Sequence, residues 1–263
     1  MSEWFSNFLI DESDMVDKLN LFGWEHILLL VGTIITAVLM YKYRENLQNW
    51  KHKEKFRYVM AGIFFINMIS LTFYYIFTGV FDWHMHLPLH FCFITGYLFM
   101  YILVSGNKKF FKIIYFFTWI GPLPAMLWPN TPVRFDRYIT YQFIISHHIL
   151  LLMGLYLIFV LGYRVNKIDI LKAFAFALCL FIGISIFNNA FGTNYIMTDQ
   201  LPAHILQMFP FLNYFNYPML WLLLCGLIMM CFAYQPARLL NSEKATEQSD
   251  SLAIDSDLKI KNA

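Results

Sequence analysis

Charged side chains are scarce in this chain of 263 residues. Asp, Glu, Lys and Arg make up 14% of it, whereas they make up about 25% of an average soluble protein. Hydrophobic residues make up 59%, and 28 phenylalanines and seven tryptophans are among them. So many large apolar side chains cannot all be buried in one water-soluble core. The composition therefore excludes an ordinary soluble domain and indicates that lipid surrounds much of the chain.

Basic residues are missing from the amino-terminal segment. Residues 1–17 contain no Lys or Arg but contain five acidic residues. A cleavable secretory signal begins with a positively charged region, so this segment does not have the pattern of such a signal. We expect the first apolar run to direct insertion into the membrane.

Paired cysteines and zinc motifs are missing too. All four cysteines, Cys92, Cys179, Cys225 and Cys231, lie in apolar runs without CxxC spacing, and the chain has no HExxH. This argues against a disulfide framework and against a structural zinc site. No stretch combines dense basic residues with stacking aromatics, which excludes a nucleic-acid partner. We expect no cofactor.

Long apolar runs are the main feature that is present. Seven can be distinguished, at residues 24–43, 58–80, 87–104, 110–128, 141–163, 171–191 and 214–234. Each is long enough to cross a bilayer as a helix. None shows the alternating pattern of an outer-membrane barrel strand, and open strands cannot face lipid. The sequence predicts an all-α, polytopic membrane bundle of about seven transmembrane helices.

The basic residues predict the orientation of this bundle. Sixteen of the 19 Lys and Arg residues lie after the first, third and fifth runs or in the tail. Only Lys18, Arg134 and Arg137 lie on the other side. Because short cytoplasmic loops are enriched in Lys and Arg, the amino terminus is expected outside and the carboxyl terminus in the cytoplasm. This is the pattern of a multi-pass protein of the cell membrane.

The chain then divides into three parts. Residues 21–235 form the transmembrane domain. Residues 1–20 are expected to be an outer interfacial segment, because Trp4, Phe5, Phe8 and Leu9 recur at helical spacing among acidic residues. Residues 236–263 are expected to be a disordered cytoplasmic tail, because the chain after residue 240 is polar and has no aromatics.

Polar side chains inside the runs are candidates for function, because each costs about 2.5–3.5 kcal/mol at the centre of a span. They gather toward the outer side, where seven of the eight histidines lie, and His52 is the exception. Those considered are Glu25, His26, His84, His86, His90, Gln142, His147, His148, Asn188, Asn194 and Tyr195. At 1.5 Å per residue, His90 and His147 both lie about 5–10 Å below the outer boundary, so they could meet.

The third run contains both Cys92 and its nearest histidines. Pro88 suits the first turn of a helix, which would place His86 and His90 four residues apart on one face. His90 and Cys92, two residues apart, would face nearly opposite ways. A histidine that activates Cys92 as a nucleophile would then come from another helix, and His147 or His148 has the right depth. The shared face of His86 and His90 leaves metal binding open as an alternative.

Four short motifs carry a family resemblance. They are Phe-Gly-Trp-Glu-His at 22–26, Leu-Pro-Leu-His-Phe-Cys at 87–92, Ser-His-His at 146–148 and Gly-Thr-Asn-Tyr at 192–195. In this order they resemble the YwaF-type bacterial membrane proteins, relatives of eukaryotic transmembrane protein 164, from about residue 21 to 234. The resemblance implies a multi-span protein. For the eukaryotic branch it implies an acyltransferase that moves fatty acyl chains between phospholipids through the cysteine of a His-x-Cys motif, which corresponds to His90 and Cys92.

The leading hypothesis is therefore a lipid-modifying acyltransferase with a membrane lipid as substrate. Cys92, His90 and His147 are the predicted catalytic residues. The predicted substrate-binding residues are Glu25, His26, His86, His148, Asn188, Asn194 and Tyr195. Among these, Glu25 could orient a histidine or only mark the interface, and the Asn and Tyr side chains could bind an oxyanion or only cap loops. The alternative function is a non-enzymatic transporter or a solute- or metal-binding protein.

Overall fold

The computed structural model describes residues 8–9, 22–129, 137–201, 206, 210, 212 and 218–261, without the side chains at 218–219 and after 242. These residues contain ten α-helices and no strand, which confirms the predicted all-α class. The helices are α1 (Trp24–Lys42), α2 (Arg44–Gln48), α3 (Lys53–Thr78), α4 (Trp83–His86), α5 (Phe91–Ser105), α6 (Lys108–Ile120), α7 (Pro122–Leu127), α8 (Tyr138–Phe159), α9 (Lys167–Phe191) and α10 (Pro218–Lys261). A short 3-10 helix lies at Tyr195–Met197.

Six helical segments of the described chain are long and apolar enough to cross a membrane: α1, α3, α6 with α7, α8, α9 and α10. The protein is therefore a polytopic membrane protein. The third predicted run instead forms α5, which has 15 residues and is about 22 Å long, shorter than a hydrocarbon core of about 30 Å. The cause is extended backbone before it, at Leu87 (ψ 148°) and His90 (ψ 150°). The side of the membrane on which each end lies stays a prediction.

The centre of the bundle is formed by α8 and α6. Of the most apolar 18-residue part of each helix, 72% is buried in α8 but only 11% in α1. Helix α8 packs against α1, α3, α5, α6 and α7, while α6 also packs against α9 and α10. Aromatic side chains fill the space around α6, where Tyr115, Phe116 and Phe117 are fully buried. Among these helices, α1 lies at the periphery.

The end of the bundle that carries most of the Lys and Arg residues, here called the basic end, is held together around Arg57. This buried side chain pairs with Glu54 at 3.1 Å and donates a hydrogen bond to the carbonyl oxygen of Ile102. Gly106 ends α5 with a positive φ of 69°, and a Cβ there would lie 2.9 Å from the Arg57 guanidinium. Tyr163 donates a hydrogen bond to the Gly106 carbonyl oxygen at 3.1 Å. The start of α3, the end of α5 and the chain after α8 are thereby tied together.

The two flanking segments differ in what the structure describes. Helix α10 continues to Lys261, through the segment whose composition predicts a disordered tail, and this segment contains many Glu, Lys, Ala and Leu residues that favour helix. In the amino-terminal segment Trp4 and Phe5 lie outside the described residues. Phe8 is described, and its ring lies 6.2 Å from that of Tyr138. The interfacial helix stays a prediction.

Candidate functional site

Cys92 lies where α5 meets the junction of α6 and α7. It is the second residue of α5, after the N-cap residue His90. Its sulfur faces Gly121, the single residue between α6 and α7, and a Cβ at position 121 would lie 2.9 Å from Sγ. Pro122 begins α7 and has no N–H to donate, which suits the first residue of a helix. The missing side chain at Gly121 therefore makes the space that the thiol occupies.

Cys92, Gly121 and His147 lie at about the same level in the bundle. Cys92 lies 13 residues before the end of α5, Gly121 lies 13 residues after the start of α6, and His147 lies 12 residues before the end of α8. At 1.5 Å per residue, each is about 18–20 Å from the basic end. The helix lengths thus bring a thiol and an imidazole to one depth.

His147 faces α6 and has a nitrogen that can accept a proton. Its Nδ1 donates to the carbonyl oxygen of Phe143 at 2.8 Å, which leaves Nε2 as the unprotonated nitrogen of the neutral ring. His147 lies seven residues before Gly154 and so on the same face of α8. Gly154 packs on Thr118 of α6, since a Cβ there would lie 2.6 Å from Oγ1, and Thr118 is one turn from Gly121.

In the described part of the chain, no hydrogen bond joins the Cys92 thiol to His147 or to His148. Both ring nitrogens of His148 are engaged by groups other than the thiol. The Nδ1 of His148 donates to the carbonyl oxygen of Ile144 at 2.7 Å, and its Nε2 lies 2.6 Å from the hydroxyl of Thr33 on α1. His148 therefore connects α8 to α1, and His147 is the histidine of this pair that is directed toward α6.

His26 fastens the start of α1 to the end of α7. The main-chain N–H of Phe22 donates to its Nδ1 at 3.1 Å, and its Nε2 donates to the carbonyl oxygen of Met126 at 2.7 Å. Both ring nitrogens are thus bonded to main-chain groups, and neither is bonded to Glu25. Between His26 and His148 lies a cavity of about 10 Å³, which is no larger than one water molecule and has an apolar lining.

Asp82 organises the short helix α4, at the end of the bundle opposite the basic end. Its carboxylate accepts hydrogen bonds from the main-chain N–H and from Nδ1 of His84, both at 2.9 Å. Both bonds hold the pKa of Asp82 below its usual range, and the bond from the main-chain N–H has the larger effect. The main-chain N–H of Asp82 donates to Nδ1 of His86 at 2.8 Å, and the His86 ring stacks on Tyr75 with centroids 4.1 Å apart.

The prediction that His86 and His90 share one helical face is wrong. Helix α4 ends at His86 and α5 begins at Phe91, because the residues between them are extended. The Nε2 of His90 donates to the carbonyl oxygen of Met85 at 3.0 Å, and its ring lies edge-on to Tyr195 at 5.0 Å. Within the described ranges, no three His, Cys, Asp or Glu side chains lie close enough together to hold a metal ion.

Asn188 is the centre of the loop after α9. Its amide oxygen accepts from the Thr193 hydroxyl at 2.7 Å and from the Tyr195 N–H at 3.0 Å. Its amide nitrogen donates to the Tyr195 carbonyl oxygen at 2.8 Å and to the Thr198 hydroxyl at 2.6 Å. These four bonds use the full capacity of the side chain, which is 3% exposed.

Tyr195 extends this loop to the start of the third run. Its hydroxyl donates to the carbonyl oxygen of Trp83 and accepts from the Leu87 N–H at 3.1 Å. Burial raises the pKa of Tyr195, so the hydroxyl keeps its proton. Asn194 closes the loop itself, because its oxygen accepts from the Asp199 N–H at 3.1 Å. Substrate binding by Asn188, Asn194 and Tyr195 stays a prediction, and in this structure they stabilise the loop.

Two residues near Cys92 were not predicted from the sequence. Gly121 receives the thiol, and the Gly-Pro pair at 121–122 was the signal that could have identified it. Thr95 lies one helical turn after Cys92, is fully buried, and has no hydrogen-bond partner for its hydroxyl among the described residues. A buried hydroxyl without a partner is uncommon, so it is a candidate donor to a bound group.

Comparison with known proteins identifies one family. The model of the TMEM164 family matches residues 21–234, an interval that includes Cys92 and His147. No curated protein matches the chain. No solved structure matches it.

Proposed function

Because the chain belongs to the TMEM164 family, we propose that it is an acyltransferase of the cell membrane that moves a fatty acyl chain from one phospholipid to another. The observation that carries this proposal is the position of Cys92. Its thiol lies in the first turn of α5, in the space left by Gly121, and at the level of His147. A thiol and an imidazole at one depth are the groups that nucleophilic acyl transfer requires.

In the first step the acyl chain passes to the protein. Nε2 of His147 takes the thiol proton while Sγ of Cys92 attacks the ester carbonyl carbon of a phospholipid. The carbon–sulfur bond forms, and the carbon–oxygen bond to the glycerol breaks. The leaving oxygen takes the proton back from His147. The products are a lysophospholipid and a thioester on Cys92.

In the second step the acyl chain passes to the acceptor. The free hydroxyl of another lysophospholipid attacks the thioester carbonyl, and its proton goes to His147. The carbon–sulfur bond breaks, the new ester forms, and the proton returns to Sγ. No oxidant, reductant or energy source is needed, because one oxygen ester is exchanged for another.

Two local features support this chemistry. The dipole of α5 favours negative charge in its first turn, where Cys92 lies, while burial of the thiol opposes it, so the proton passes to His147 as the sulfur attacks. The hydroxyl of Thr95 can donate to the oxygen of the attacked carbonyl. The thiol and His147 are not hydrogen bonded here, and such bonds often form only when substrate is present.

The direct test is acyl exchange between phospholipids in proteoliposomes that contain the purified full chain. We expect Cys92→Ser to remove the activity and His147→Ala to lower it by about 100-fold to 10,000-fold, the usual contribution of a general base. Cys179→Ser is the matched control, because Cys179 is an exposed thiol on α9. Exchange by Cys92→Ser at the rate of the unmodified protein would contradict the proposal.

A further inference from the structure

A groove lies at the basic end of the bundle, between the start of α9 and the middle of α10. Its volume is about 430 Å³, which is large enough for a small polar molecule or a headgroup. The residues that line it are Lys167, Ile170, Cys231, Tyr234, Gln235 and Arg238. By the helix lengths given above, Cys92 lies about 18–20 Å from the basic end, so the groove is separate from it.

Positive charge in this groove is not neutralised by the described side chains. Lys167 and Arg238 are exposed, and neither pairs with a carboxylate in the part of the chain whose side chains are described. The acid closest in sequence to Lys167 is Asp169, which is 1% exposed. Its two oxygens bond to Lys172 at 2.8 Å and to the Asn166 N–H at 2.9 Å. Asp169 therefore caps α9 and does not balance the groove.

The remaining lining residues suit a lipid headgroup at an interface. Tyr234 is half-buried and aromatic, as residues at the membrane surface often are, and Gln235 adds hydrogen-bonding capacity. Apolar side chains that continue from the groove along both helices are exposed, such as Leu171 on α9 and Ile228 on α10. They offer a surface along which acyl chains can lie.

We propose that this groove binds an anionic phospholipid, with the phosphate between Lys167 and Arg238 and the acyl chains along α9 and α10. Basic pockets between membrane helices bind such headgroups because the phosphate replaces the missing counter-charge. The site holds a lipid that is bound and not converted. The inference rests on the groove alone and not on the proposed acyl transfer.

Native mass spectrometry of the full chain tests this site through the retention of phosphatidylglycerol against phosphatidylcholine. Each basic residue that contacts the bound anionic headgroup contributes about a fivefold preference, so Lys167→Gln with Arg238→Gln should weaken phosphatidylglycerol binding about 25-fold. Lys51→Gln with Lys109→Gln is the matched control, because both lysines are exposed near the same end and outside the groove. Equal losses in the two double variants would overturn the proposal. Equal occupancy by inorganic phosphate would also overturn it, since the ligand would then be a free anion.

Alkylation of Cys231 tests the same site without changing the groove. Cys231 lines the groove, whereas Cys179 is an exposed thiol on α9 outside it. We expect phosphatidylglycerol to slow the reaction of Cys231 with N-ethylmaleimide about fivefold or more relative to phosphatidylcholine, in line with the preference per charge, and to leave Cys179 unchanged. The two rates are read from peptide masses. The same Cys231 rate in both lipids would overturn the proposal.

Discussion

Hydrogen bonds divide His26, His147 and His148 into two kinds. His26 uses both nitrogens on main-chain groups, and His148 uses its two nitrogens on Ile144 and Thr33. His147 uses Nδ1 on its own helix and keeps Nε2 as an acceptor. The sequence placed all three at one end of the bundle. It could not tell them apart, because their roles depend on which helix each ring meets.

Gly121 offers the sharpest residue test of the space around Cys92. Its backbone (φ −82°, ψ −60°) suits alanine, so Gly121→Ala acts only through the added Cβ. That carbon would lie 2.9 Å from Sγ of Cys92 and 3.0 Å from the Phe91 ring. We expect a loss of about 1–3 kcal/mol in unfolding free energy from overpacking, together with reduced acyl exchange. Thermal unfolding in detergent and the exchange assay measure the two effects.

The control for this variant is Gly183→Ala on α9. A Cβ at Gly183 meets nothing within 4 Å, and alanine favours helix more than glycine does. Gly183→Ala should leave activity and stability unchanged or slightly raise stability. Equal melting temperatures and equal acyl exchange in Gly121→Ala and Gly183→Ala would contradict the close contact between Gly121 and Cys92.

Among the described polar residues of the loop after α9, Asn188 is expected to contribute most to the unfolding free energy. Asn188→Ala removes four hydrogen bonds and leaves buried partners unpaired, at a cost of about 2–4 kcal/mol in unfolding free energy. Asn189→Ala is the adjacent control, because Asn189 is exposed. Thermal unfolding compares the two variants, and equal melting temperatures would contradict the role assigned to Asn188.

At the scale of elements, the short helix α5 decides where Cys92 lies. The apolar run at 87–104 predicts one continuous span, and Pro88 is compatible with the first turn of such a helix. The structure places Pro88 before the helix, because the residue that precedes a proline favours extended backbone. Hydrophobicity does not distinguish these two outcomes. The extended backbone before α5 is important, because it puts Cys92 in the first turn of that helix.

Helix α1 depends on few contacts, and Thr33 provides one of them. Thr33→Val keeps the shape of the side chain but removes the hydroxyl that bonds to His148. We expect faster hydrogen exchange of the α1 amides, because α1 packs mainly on α8. Thr36→Val is the control, since the Thr36 hydroxyl bonds to Gly32 within the same helix. Equal exchange in the two variants would show that the His148 contact does not hold α1.

For the whole molecule, composition and apolar runs were enough to predict an all-α membrane bundle. Six of the seven predicted runs correspond to helices that can cross a membrane. The Gly-Pro pair at 121–122 indicates the break between α6 and α7, but the close approach of Cys92 to Gly121 could not be predicted, because it arises from packing between distant parts of the chain. The groove at Lys167 and Arg238 likewise joins two helices that are far apart in sequence.

The two ends of the molecule differ in chemistry. The part far from the basic end has Cys92, His147 and a loop that Asn188 stabilises. The basic end has the buried Arg57 and the basic groove. We propose acyl transfer in the first part and lipid retention at the basic end.

The central claim is that Cys92 carries the acyl chain. The most direct measurement is peptide mass spectrometry of the full chain after incubation with a phospholipid of defined acyl composition and an acid quench. We predict an added acyl mass on the peptide that contains Cys92, its removal by hydroxylamine, and its absence in Cys92→Ser. Phospholipid turnover without an acyl group on Cys92 would contradict the account.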